Sequence, residues 1–201
     1  MTTHRMGPRK QKLQRDASSA KRTALVLGIV AAVGTDIDGF DAKLTRELHA
    51  FGYRPEPIRM TELLRLFDKQ ARKIPDVPQG KRISSFMNAG NRLRAKHSNE
   101  VLALLAAGEI KRRRADQDDA ETAYIVRTLK HPDEVTALRR IYGHGFFLLG
   151  VYSDESSRLA HLHQQNVSKI EAEGLVRRDQ EEADSSGQQT RKTFALSDVF
   201  V

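Results

Sequence analysis

The sequence predicts a three-layer α/β sandwich built on a mainly parallel sheet. Three observations carry that expectation. Short apolar runs, at residues 24–30, 124–129 and 146–152, alternate with segments whose apolar residues recur at helical spacing. The first of these runs is apolar throughout, the pattern of a strand buried on both faces. A glycine-rich turn, residues 27–39, leads from that run into the first helical segment. With 201 residues, 39% of them hydrophobic, the chain is long enough to bury one sizeable core.

Residues 1–23 hold seven Lys/Arg and one Asp, so this arm carries +6 of the formal net charge of +8. It reads as a disordered basic leader ahead of one domain at 24–201, and it lacks the apolar run of an export signal. Such an arm can bind nucleic acid, but a solvated leader is the favoured reading. No apolar run approaches the roughly 20 residues that span a bilayer. The sequence contains no cysteine, which excludes disulfides, thiolate zinc sites and cysteine nucleophiles together and fits a cytoplasmic protein.

Residues 24–30 form the first expected strand. Residues 41–51 place Leu44, Leu48 and Phe51 on one helix face, and Gly52 stops that helix. A second strand at 53–59 is pushed to a sheet edge by Pro55 and Pro57. Thr61 stands where an N-cap belongs, before Leu63, Leu64 and Phe67. Residues 74–80, with Pro75, Pro78 and Gly80, read as a loop. A long helical stretch at 83–110 breaks near 97–99, and the basic run 111–114 with the acidic residues up to Glu121 makes a charged connection. The third strand is 124–129. Pro132 opens a helix that turns Val135, Leu138 and Ile141 inward. The fourth strand is 146–152, followed by a helix capped by Asp154 or Ser156 and bearing Leu159 and Leu162. Residues 177–193 are polar and read as a mobile flap, and 199–201 form a last short strand.

A glycine turn between a buried strand and a helix is where a phosphate-binding P-loop belongs, because backbone N–H groups and the helix dipole both favour an anion there. The fold expected is therefore P-loop NTPase-like, of the nucleoside-monophosphate-kinase type. Gly28, Ala31, Val33, Gly34, Thr35 and Asp36 are the candidate phosphate-binding residues of this loop. Asp36, Ile37 and Asp38 stand where Gly-Lys-Ser completes the usual motif. Ile37 removes the cation and Asp38 the magnesium-binding hydroxyl. Two aspartates also add repulsion toward a triphosphate, on the order of 1 kcal/mol in a partly dry site. Three readings stay open: a pocket that binds nucleotide without transferring phosphate, a kinase that draws its cation from an Arg or Lys elsewhere, and a plain strand–helix connection with no ligand. Asp36 and Asp38 lack further ligands, so no metal site is expected.

A second segment runs from the third strand into Pro132-Asp133-Glu134. Set beside deoxynucleotide and related small-molecule kinases, it has Thr128 at an acidic position and Lys130 at a basic one, so a magnesium-orienting carboxylate is also missing. The ordered motifs at 28–36, 87–94 (Met87-Asn88-Ala89-Gly90-Asn91-Arg92-Leu93-Arg94), 129–135, 139–143, 146–152 and 187–200 resemble the N-terminal region of bacterial anti-phage deoxycytidylate deaminases. That resemblance spans about residues 24 to 201. It implies a P-loop domain joined in the family to a zinc-dependent deaminase domain, whose His-x-Glu and Pro-Cys-x-x-Cys signature is absent from this chain. No zinc and no catalytic residue are then expected here. The implied role is a regulatory one: binding a dNTP or NTP and signalling to a deaminase domain in another chain, or acting within a homo-oligomer.

Asn88, Asn91, Arg92 and Arg94 on a helix are candidates for contacting that nucleotide, with a solvated helix face as the alternative. Arg178 and Arg191, with Arg177, flank the polar stretch and suit phosphate clamping, against the alternative of a charged loop. His161 and His163 lie on different helix faces and form no zinc pair. The run 111–114 lacks interleaved aromatics, so nucleic acid is not the favoured partner.

Overall fold

A computed structural model describes residues 24–115, 121–181 and 187–201. The basic leader, the acidic residues 116–119 of the charged connection and the middle of the polar stretch 177–193 lie outside the described residues. Strands β1 (Leu25–Ala31), β2 (Arg54–Arg59), β3 (Thr122–Arg127), β4 (Phe146–Val151) and β5 (Val199–Phe200) form one sheet. Their order is β2-β3-β1-β4-β5, and all four ladders are parallel. Parallel neighbours need crossovers, which helices α1 (Ile37–Ala50), α2 (Met60–Phe67), α3 (Gln79–Lys96), α4 (Val101–Ala115), α5 (Pro132–Tyr142), α6 (Glu155–Gln164), α7 (Lys169–Glu181) and α8 (Thr190–Phe194) supply. This is the three-layer α/β arrangement that the alternation of runs predicts, with the glycine turn leaving the central strand.

β1 is central because it pairs on both edges, Gly28 facing Val126 of β3 and Leu148 of β4. Its side chains alternate between the two faces. Val26 and Val30 pack with Tyr124, Val126 and Leu148 against α2 to α5, in a cluster that includes Leu64, Phe86, Leu102, Ile110 and Leu138. Leu27, Ile29 and Ala31 pack the opposite face against Leu48, Leu44, Phe40 and Ile37 of α1. A third cluster joins Val33 to Met87 of α3, Leu162 of α6 and Ala172, Leu175 and Val176 of α7. That cluster is what holds α6 and α7 over the carboxyl end of the sheet.

β2 is an edge strand for the reason its prolines give. Arg54 N–H bonds Glu121 O at 2.7 Å toward β3, so alternate residues 55 and 57 face the open side, where no ladder bond is lost. Among the described residues no helix is long and apolar enough to cross a membrane.

Several boundaries differ from expectation, each for a local reason. α1 starts at Ile37 rather than 41, because the Asp36 carboxylate accepts the Gly39 N–H at 2.8 Å and caps it. α2 starts at Met60 directly after β2, so Thr61 is inside its first turn and caps nothing. α3 starts at Gln79, which leaves only residues 74–78 of the expected loop outside helix. Ile141 is exposed rather than inward. The expected flap is largely helical where described. Residues 177–181 end α7, held by its apolar face in the third cluster, and 190–194 form α8, with Thr190 and Thr193 buried.

Gly28 lies in the middle of β1, not in the loop, and a Cβ there would sit 2.8 Å from Leu129 Cδ1 and 2.9 Å from Phe146 Cζ. Both neighbours are buried, so neither ring nor leucine has room to retreat. Gly28→Ala is therefore expected to destabilise the fold by about 1–3 kcal/mol through overpacking. Urea denaturation measures it, and an unchanged midpoint would show that the core has slack at this point.

Candidate functional site

The carboxyl ends of β1, β3 and β4 converge at the crevice where open α/β sheets place ligands. The β1 exit, residues 32–36, is held from both sides. Gly34 takes a φ of +89°, and a Cβ there would sit 2.7 Å from Arg158 O, so only glycine lets α6 pack this closely. Arg158 Nη1 donates to Val33 O at 3.2 Å. Val33 N–H donates to Asp179 Oδ2 of α7 at 2.9 Å. The other oxygen of Asp179 accepts from Lys130 Nζ at 3.2 Å and Thr190 Oγ1 at 2.9 Å. Lys130 Nζ also reaches Ala31 O at 2.7 Å. A cation from the β3 exit thus stands at the start of the loop, while Ile37 occupies the first position of α1 and packs with its apolar side.

Further amides of the loop are engaged as well. Thr35 N–H bonds Ala32 O, and at the first residue of α1 Ile37 N–H bonds Thr35 O. A loop that presents a nest of N–H groups to phosphate leaves them pointing outward. Here a carboxylate and neighbouring carbonyls take those of Val33, Thr35 and Ile37.

The aspartates of the loop do not confront a ligand as bare charges. Asp36 caps α1. Asp38 accepts from Arg127 Nη2 at 2.7 Å, and Asp41 from Arg127 Nη1 at 2.6 Å. The Arg127 hydrogen bond holds the Asp38 carboxyl below its ordinary value, although partial burial works against it. One arginine at the end of β3 thus holds both Asp38 and Asp41, while Asp36 is engaged as the helix cap.

The segment after β3 is built around a buried ion pair. Arg94 Nε and Nη2 donate to Glu134 Oε1 at 3.0 and 2.7 Å, with both side chains almost fully buried. Glu134 Oε2 accepts the Lys130 and His131 N–H groups at 2.7 and 3.1 Å. His131 Nδ1 accepts the Asp133 N–H at 3.2 Å, completing a capping box on α5 with Pro132 at its first position. The His-Pro-Asp-Glu run is thus a structural device that aims Lys130.

Two cavities flank the loop. The first, about 240 Å³, is bounded by loop residues 31–35 and Ile37, by α2 and α3, and by Thr128, Lys130, His161 and Gln188. Arg82, Arg94 and Lys130 line it, and among the described residues no carboxylate does. Thr35 Oγ1 is buried beside it with no hydrogen-bond partner among the described residues. The second, about 380 Å³, is bounded by Ala32, Tyr152, Arg158, Asp179, Thr190, Arg191 and Phe194 among others.

Of the residues singled out from sequence, Ala31, Val33, Gly34, Thr35 and Arg94 line the first cavity and Arg191 the second. The others lie elsewhere. Gly28 is in the sheet. Asp36 faces solvent as a cap. Arg178 Nη2 donates to Asn88 Oδ1 at 2.7 Å, across a surface groove that contains no loop residue. Arg92 is exposed and bonds Asp68 at 2.9 Å. Asn91 accepts from Arg94 Nη1 at 3.3 Å, supporting the buried arginine rather than lining the cavity. Helical periodicity turns these four side chains away from the loop, and a motif match along the sequence carries no information on which face a residue occupies. Sequence reasoning missed Asp179 and Arg158, which have no motif around them. Their only signal was charge in otherwise apolar helix faces.

No family model matches the chain, and no curated protein matches it. Among solved structures, a gluconokinase from Sinorhizobium meliloti 1021 is 13% identical, the match covering 87% of this chain and 91% of that one, with a TM-score of 0.40. A candidate fructose transport system kinase from Silicibacter sp. TM1040 is 16% identical, covering 96% of each chain, also with a TM-score of 0.40. At that level the likeness adds nothing to what the strand order already shows.

Two outcomes follow from the charge pairs. Arg94→Ala leaves Glu134 buried without its cation and is expected to cost about 3 kcal/mol, read as a lowered denaturation midpoint. Asp38 has a depressed pKa, so its share of stability is complete above the unfolded carboxyl value of about 4 and is lost as pH falls below it. Because Asp38 is largely exposed, that share is small. Arg127→Gln is expected to raise the Asp38 titration midpoint, measured by carboxyl NMR; a midpoint that stays put rules out Arg127 as the cause.

Proposed function

We propose that this chain is a nucleotide-binding domain of P-loop kinase-like architecture that holds its ligand without transferring phosphate. The observation that carries the reading is the first cavity: three basic side chains, no carboxylate among the described lining residues and a largely apolar wall, set against the loop at the carboxyl end of the central strand. The carboxylate partners of those side chains, Asp76, Glu134 and Asp179, stand outside its lining. Such a lining favours an anion joined to an apolar or aromatic body, as in a nucleoside phosphate. The absence of transfer rests on three features of the residues. Ile37 takes the lysine position, Asp38 takes the hydroxyl position and is paired with Arg127, and the Val33 amide is already bonded to Asp179.

A second reading, an active deoxynucleotide kinase, is favoured by one observation: Lys130 Nζ sits 2.7 Å from Ala31 O, so a cation is available at the loop from outside the motif. The resemblance of the ordered motifs to those of deoxycytidylate deaminases supports a regulatory role, in which occupancy is read by a deaminase domain on another chain or by a second copy of this one. The lack of cysteine supports a cytoplasmic setting.

Calorimetry of the full chain against a panel of dNTPs and NTPs is expected to give saturable heats for at least one of them. Flat heats with folded protein would sink the reading. A phosphoryl-transfer assay with ATP and magnesium is expected to stay at background; turnover that disappears in Lys130→Met would instead establish the kinase.

A further inference from the structure

Asp179 is an unusual group to find beside a phosphate loop. It is 4% exposed, it comes from α7 rather than from the loop, and it accepts from one backbone amide, one ammonium and one hydroxyl. An N–H, a lysine and a threonine hydroxyl are also the donors that suit a phosphoryl oxygen. Asp179 separates the two cavities as well. It lines the second, while Val33 and Lys130, which it bonds, line the first, and Ala32 touches both.

Two further polar atoms at this point lack partners among the described residues. Arg158, 5% exposed and on the wall of the second cavity, has its Nε buried without a hydrogen bond. Thr35 Oγ1 is in the same condition on the side of the first. Buried donors of this kind cost free energy unless something arrives to satisfy them. One carboxylate satisfies three donors and leaves two beside it. A tetrahedral oxyanion has more oxygens to offer.

We propose that Asp179 is an internal anion latching the loop, and that a phosphoryl group occupies the loop only by displacing it from Val33, Lys130 and Thr190. This rests on the nucleotide-binding reading and deepens it. Displacement joins the two cavities across the loop and frees the end of α7, so phosphate occupancy is coupled to the position of that helix. The coupling is reciprocal: whatever holds Asp179 in place weakens phosphate binding by the same factor.

The probe is pyrophosphate, titrated into the full chain by calorimetry, with thermal unfolding in parallel. Asp179→Asn removes the charge while keeping an oxygen for the Val33 amide. It is expected to bind pyrophosphate at least tenfold more tightly than the unaltered chain and to gain more Tm from it, because Lys130 has lost its counter-ion. Adding Lys130→Met is expected to cancel the gain. Equal or weaker affinity in folded Asp179→Asn, or a gain that survives Lys130→Met, overturns the latch.

If Asp179→Asn does not fold, amide hydrogen exchange of the unaltered chain decides. Residues 174–179 are expected to exchange faster when pyrophosphate is bound. Unchanged protection in the bound state, or no binding at all, overturns the proposal. The two readings fail separately. Nucleotide heats in the unaltered chain with no gain in Asp179→Asn leave the binding function standing and remove the latch. A pyrophosphate gain in Asp179→Asn, with the unaltered chain silent toward every nucleotide, does the reverse.

Discussion

The buried carboxylate of Asp179 ties together the pieces on which the candidate site depends. Through Val33 it holds the exit of the central strand, through Lys130 the exit of β3, and through Thr190 the start of α8. A carboxylate this deeply buried stays in the fold only when its oxygens are matched by good donors. The geometry of the loop and the position of α7 are for that reason one constraint. The apolar contacts of Leu175 and Val176 with Leu162 and Met87 bring α7 to the sheet, and Asp179 sets where its end lies.

The same principle organises the rest of the carboxyl edge. The two charges that follow β3, Arg127 and Lys130, each meet opposite ones from neighbouring helices. Arg127 at the end of β3 bridges Asp38 and Asp41 of α1. Glu134 of α5 gathers Arg94 and two loop amides, which fixes the path of the chain through Lys130. The result is a set of paired charges beneath a cavity whose lining is cationic and apolar. Pairing changes the meaning of individual residues: an aspartate in the loop sequence becomes one of two carboxylates held by an arginine, and a lysine outside the motif becomes a cation at the start of the loop.

How much of this was legible along the chain depends on the range of the interaction. The parallel sheet followed from runs such as 24–30, since burial on both faces leaves a local apolar signature. The edge position of β2 followed from Pro55 and Pro57, which cannot donate. Capping at Asp154 and the start of α5 at Pro132 were also local matters. Helix starts at Ile37 and Met60 were missed. In the first case a capping aspartate was read as part of a ligand loop; in the second a strand runs into a helix with no turn between. Asn88 and Arg92 belonged to a motif read together with the loop but do not share its face, and Arg178, chosen because it flanks a polar stretch, turns toward Asn88. Asp179 lies 146 positions from the amide it binds, and no spacing rule spans that distance.

By itself, the sequence determined the strands and most of the helices, though not those at 169–181 and 190–194, that the sheet is parallel, and that a glycine turn leaves its first strand without the usual lysine and hydroxyl. Those properties depend on residues a few positions apart, whose periodicity, ring constraints and side-chain chemistry act locally. Only the tertiary structure decided what occupies the turn's amides, which cation stands beside it, and which side chains share a cavity. Those are contacts between α6, α7 and the exits of β1 and β3, created when apolar clusters pack the helices over the sheet. The order of residues along the chain does not encode them one by one.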